Sequence, residues 1–170
     1  MKFDRDFVFL IRKVIIGFAV MFFASLLQTS LLDKIEPFGA IPDLSLVMVA
    51  GVGCFCGSFS GGIYGIFAGV VSYALGDVGA AFLPVVYGAI GFLSGLLVER
   101  FFKGKFVVWC IYVLCGGLLK AAYSLGCCLL FSGHIQLWQA IGGAILPELL
   151  GTFILGAAMY VPVRKICRLL

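Results

Sequence analysis

Charges and turn-forming residues cut the chain into long apolar runs with short polar stretches between them. The runs are Val14–Leu32, Leu44–Gly76, Phe82–Val98, Phe106–Phe131 and Trp138–Val163. One helix crosses the hydrocarbon of a bilayer in about 20 residues. The second run holds 33 residues without a charge, too many for one crossing and few for two. The distribution of basic residues decides between the two counts, because cytoplasmic loops carry the excess of lysine and arginine. With two short helices in that run, Lys2, Arg5, Arg12, Lys13, Arg100, Lys103, Lys105, Arg164, Lys165 and Arg168 all fall on one side, ten of the 12 basic residues. With one helix, the stretch "ERFFKGK" moves to the opposite side. The pattern therefore predicts an all-α integral membrane protein with six transmembrane helices, near 14–32, 44–58, 61–76, 82–98, 106–131 and 138–163. They form one transmembrane domain, with both termini cytoplasmic.

The second and third helices must then be short, joined by a tight turn near Gly57–Gly62. Fifteen helical residues reach about 22 Å, less than the roughly 30 Å of hydrocarbon. Such helices thin the bilayer, tilt little or hide behind longer neighbours. Ahead of the first span, "RDFVFLIRKV" is amphipathic enough to lie along the inner surface.

Composition agrees with this reading. The chain is 63% hydrophobic and 12% charged, with a mean hydropathy of +1.19, more apolar surface than a soluble domain of this length can bury. The net charge of +4 follows from the sidedness of the basic loops and does not point to nucleic acid. The seven cysteines lie almost entirely in apolar runs and read as small buried residues, not a disulfide framework. Val14–Leu32 is longer than a signal-peptide core, and no small-residue cleavage site follows it, so it is expected to remain as a span.

Glycine recurs every fourth residue at Gly53, Gly57, Gly61, Gly65 and Gly69. Glycine weakens helices in water, but inside a bilayer small residues let helices approach closely. Gly61, Gly65 and Gly69 form one face of the third helix. That face is either a docking groove for a partner's helix or ordinary packing within the bundle. Gly88, Gly91 and Gly95 repeat the habit in the fourth helix.

Two charges lie deep within spans. Lys120 is 11 residues from the end of its run at Phe131, and Glu148 is 10 from the start of its run at Trp138. At 1.5 Å per residue both sit about 15 Å deep. Isolated charges there are costly, so the matched depth on adjacent antiparallel helices predicts a polar pair. It is either a structural ion pair or part of a proton relay or ligand site. Pro147 breaks the helix beside it and frees a carbonyl. Pro42 and Asp43 read as a helix start, with the carboxylate near the amide-rich end.

No enzyme constellation is visible, and no metal or cofactor is expected. His134 has no ligand partner at a usable spacing. Cys54 and Cys56 are too close in sequence to hold zinc alone. Ser58 and Ser60 read as helix caps. None of the tyrosines is placed like a catalytic acid.

"IPDLSLVMVA", followed by "GGIYGIFAGVVSYALGDVGA", resembles the rod shape-determining protein MreD family. The resemblance covers Ile41 to Arg100, and "LPELLGTFILGAAMYVPVRKI" is similar to that family's last helix. The shared pattern falls on Pro42, Asp43, Leu44, Gly65 and Gly69. Two features depart from it. Tyr73 stands where the family often has aspartate, the nearest acid being Asp77, and "GSFSG" replaces a basic pair. The resemblance implies a non-enzymatic scaffold of the cell-elongation machinery, active in peptidoglycan synthesis and cell shape. It implies an MreC-type single-span periplasmic partner, with Gly61, Gly65, Gly69, Pro42 and Asp43 as the partner-binding residues. It extends the partner set to an actin-like filament protein, a RodA-type glycosyltransferase, a class B penicillin-binding protein and the lipid bilayer. The fold it implies resembles the substrate-binding subunits of energy-coupling-factor vitamin transporters. Membership among those subunits is the alternative function, with Glu148, Lys120, Asp43 and Trp138 as ligand contacts. Against it, Ala19 and Ala24 are five residues apart, not the four such subunits use for docking.

Overall fold

The computed structural model describes residues 2–32, 41–75, 82–100, 106–131 and 141–167. Among these no strand occurs. Six helices follow one another: α1 (Lys2–Leu27), α2 (Leu44–Cys56), α3 (Ser58–Ala74), α4 (Leu83–Arg100), α5 (Phe106–Phe131) and α6 (Leu146–Cys167). Wider π-type turns extend α1 over Gln28–Leu32 and precede α6 over Ile141–Ile145. The second widening has a local cause. Pro147 lacks an N–H, and its ring crowds the carbonyl four residues back. The segment "RDFVFLIRKV", expected to lie along the inner surface, is continuous with α1 and no break in the helix separates it. Lys34, Asp77, Lys103, Lys105, His134 and Trp138 lie outside the described residues.

Leu83–Arg100, Phe106–Cys127 and Leu146–Cys167 are long and apolar enough to cross a membrane; Val14–Ser30 and Leu44–Cys56 are apolar but shorter. The short α2 is the central element. It is buried at every residue from Leu44 to Gly53 and packs against each of the other five helices. A helix that is apolar all round has no face to offer water, and here the longer neighbours enclose it.

The expected turn between the second and third helices, Gly57–Gly62, contracts to one residue. Gly57 alone separates α2 from α3, at φ 101° and ψ 164°. That region belongs almost entirely to glycine. The backbone N–H and hydroxyl of Ser58 both donate to Glu99 Oε1 of α4, at 3.2 and 3.3 Å. Ser58 is thus the first residue of α3 and not its cap; a carboxylate from α4 holds the amide-rich end instead. A Cβ on Gly57 would meet only Glu99 Oε1, at an ordinary 3.5 Å. Gly57→Ala should therefore cost about 1–3 kcal/mol through backbone strain alone, read as an earlier loss of the monodisperse peak on heating in detergent.

Successive helices alternate in direction. Thr152 lies beside Asp43 at one end of α2 and Cys167 beside Cys56 at the other, so α2 and α6 run parallel. Lys120 reaches Asp43 while Trp109 lies at Gly51, so α5 opposes α2. Gly61 lies at Gly91 and Gly69 at Pro84, so α3 opposes α4.

This last pairing corrects the expected docking face. Gly61, Gly65 and Gly69 are all buried. A Cβ on Gly61 would strike the Gly91 carbonyl, one on Gly65 the Tyr87 carbonyl, and one on Gly69 the backbone of Leu83 and Pro84. Gly91 and Gly95 meet Gly61 and Ser58 from the other side. Two glycine-lined faces have closed on each other backbone to backbone, and neither they nor Gly88 offer a groove to another chain.

Polarity is inverted relative to a water-soluble protein. Ile15 and Phe23 of α1, Ile66 and Val70 of α3, Val85 and Phe92 of α4, Val107 and Ile111 of α5, and Ile154 and Val161 of α6 are all exposed. Ser25, Asp43, Ser45, Ser94 and Thr152 are buried.

Candidate functional site

The first residue of the site is Asp43, which is completely buried. It precedes α2, and because α2 is short its start lies well inside the bundle. Asp43 Oδ1 accepts the Leu46 N–H at 2.9 Å, the bond of an N-cap. Its own N–H donates to Thr152 Oγ1 of α6 at 2.9 Å. Its other oxygen, Oδ2, accepts the Tyr87 hydroxyl of α4 and the Lys120 ammonium of α5, the latter at 2.5 Å. Through its carboxylate Asp43 ties α2, α4 and α5 together, and through its backbone N–H it adds α6. The carboxylate accepts three donors, two of them side chains from other helices, which is what a buried charge requires.

Lys120 turns a second proton to Glu148 Oε1 at 2.7 Å. Lys120 is 19% exposed and Glu148 31%. The ion pair expected from depth is in contact, but it is the outer part of a triad whose inner member is Asp43. The cavity beside it measures about 10 Å³ and is lined by Asp43, Leu46, Gly117, Lys120, Ala121, Ile145, Glu148, Leu149 and Thr152. That is the lower limit for one water molecule.

A neutral polar set flanks the triad. Ser25 and Ser45 hydroxyls lie 3.2 Å apart, and the Ser45 N–H donates to Gln28 Oε1 at 2.9 Å. These bonds fasten α1 to the same end of α2. Among the described residues no buried side-chain nitrogen or oxygen lacks a partner, and no group of three His, Cys, Asp or Glu is arranged to hold a metal ion.

The sequence-predicted residues separate into two places. Asp43, Lys120 and Glu148 come together. Gly61, Gly65 and Gly69 lie in the α3–α4 seam. Pro42 is buried against Gly151, so Pro42 and Asp43 hold the bundle from within and present no surface to a partner. Tyr73, noted in the sequence as a departure from the resembled pattern, is exposed on α3. Tyr87 and Thr152 were not singled out in the sequence. Their only signal is the lone hydroxyl each brings near the buried end of its helix.

The fold and the site together define a six-helix bundle with an apolar exterior, a glycine seam and an ionic hub whose inner carboxylate is fully buried. No protein-family model, no curated protein and no solved structure matches the chain.

Proposed function

We propose that the chain is a six-span scaffold of a bacterial cytoplasmic membrane, without enzymatic activity, serving the cell-elongation machinery through a single-span periplasmic partner. The resemblance of its Pro-Asp-Leu and glycine pattern supplies the biological setting. The alternating helices and the outward apolar side chains support six crossings with both termini on one side; the sorted basic residues make that side cytoplasmic. The observation that carries the scaffold reading is the joining of helices at the inner end of the ionic hub. Tyr87, Lys120 and Thr152 each bond to Asp43, which joins four helices.

The vitamin-transporter alternative calls for a ligand cavity of about 300 Å³ or more. The cavity at the hub is about 10 Å³, and Asp43 and Lys120 in its lining are bonded to each other. The test is affinity purification in mild detergent with identification of what co-elutes. A single-span protein with a periplasmic domain in near-equal amount is the expected result. Co-elution of membrane-bound ATPase subunits, with a small molecule released on denaturation, would overturn it.

A further inference from the structure

The packing between α5 and α6 differs between its two halves. In the half away from the hub, Trp109, Val113, Gly156 and Val163 are all buried, and the Trp109 indole donates to the Gly156 carbonyl at 2.8 Å. In the half that holds the hub, no residue from 117 to 127 of α5 and none from 145 to 150 of α6 is fully buried. Gly117, Lys120, Ala121 and Ser124 stand at helical spacing on one face of α5. Ile145, Glu148 and Leu149 face them across the cavity. The result is a shallow groove with small walls and a charged floor.

The floor is unbalanced. Two carboxylates share one ammonium. Glu148 accepts a hydrogen bond only at Oε1 among the described residues. Lys120 lies about 16 Å from the Phe131 end of α5, at hydrocarbon depth if the chain spans a bilayer. An ion pair left facing acyl chains is costly there and calls for a polar cover. Lipid tails offer no donor. A second copy of this chain would bring the same excess negative charge and repel. Any protein segment at that depth must satisfy its own backbone and is therefore a helix. The small Ala121 on this face lets such a helix come close.

We propose that the α5–α6 groove docks one membrane-spanning helix of another protein, which places a hydrogen-bond donor such as Asn or Lys opposite Glu148. This rests on the reading of the chain as a membrane scaffold and assigns the surface and the chemistry of its partner.

The test uses the whole chain in nanodiscs of zwitterionic lipid with fluorescent synthetic spans. These are apolar helices carrying Asn, Lys or Leu at the matching depth, with binding read by energy transfer. The Asn and Lys helices should bind about tenfold more tightly than the Leu helix, the effect of one hydrogen bond to a charged acceptor. Glu148→Leu keeps the Asp43–Lys120 pair and should abolish that preference. Ala121→Leu fills the groove and should weaken all three helices. Equal binding of the three helices overturns the proposal. So does a tenfold preference that survives in monodisperse Glu148→Leu, or self-association of the chain through Ala121. Binding of none of the helices also overturns the groove, while co-elution of a native single-span partner would leave the scaffold reading standing. Failure of the chain to enter the nanodisc would overturn both.

Discussion

Replacing Lys120 with leucine should remove almost all folded, monodisperse protein. Asp43 has no exposure and would lose the one cation that bonds it among the described residues. Breaking a buried pair from one side costs about 3–5 kcal/mol, a large share of the 5–15 kcal/mol that typically separates folded from unfolded states. Glu148→Leu should cost far less, because the Asp43–Lys120 contact survives and Glu148 is 31% exposed. Size-exclusion profiles of the two variants after the same detergent extraction measure the difference. Equal loss from both would place the burden on the outer pair.

Much of this site could be read in the sequence. Matched depth on antiparallel helices is enough to bring Lys120 and Glu148 together. Asp43 escapes that logic because its position beside Pro42 already has a sufficient explanation as a helix cap, a role it also fills. What reveals its second role is the shortness of the following helix. A span of 13 residues with longer neighbours starts below the surface, so its cap is carried inward to the level of Lys120. The 33-residue run contained that information, but only the three-dimensional position of α2 at the centre turns it into a contact. Tyr87 and Thr152 have no such signal, since a hydroxyl on an apolar helix is common.

The glycine column shows the opposite balance. Its spacing is plain in the sequence, while its neighbour is not. Four-residue spacing says that something approaches closely and does not say what. The repeat at Gly88, Gly91 and Gly95 was the available clue: two such faces on consecutive antiparallel helices satisfy each other.

Gly65→Leu is accordingly expected to destroy the bundle, not to release a partner from it. The leucine would have to enter the space of the Tyr87 carbonyl and the Gly88 Cα, and backbone in a packed helix cannot move aside as a side chain can. A loss of about 3 kcal/mol or more is expected, at the upper end for overpacking. Gly126→Leu is the control, because a Cβ there meets nothing within 4 Å. It should change stability by no more than about 0.5 kcal/mol. The check is the temperature at which each variant loses its monodisperse peak in one detergent. A Gly65→Leu protein as stable as the parent would mean that α4 does not cover this face, and the glycines would again be candidates for partner docking.

The most direct test of the Asp43-centred hub is a double-mutant cycle between Asp43 and Lys120, both to leucine, with thermal stability as the readout. One unpaired buried charge is worse than none. The double variant should therefore recover much of what either single change loses, with a coupling of about 2–3 kcal/mol, at the high end for residues in direct contact. The matching cycle between Glu148 and Lys120 should show a smaller coupling. Additive losses at Asp43 and Lys120, within about 0.5 kcal/mol, would contradict a hub built on that carboxylate.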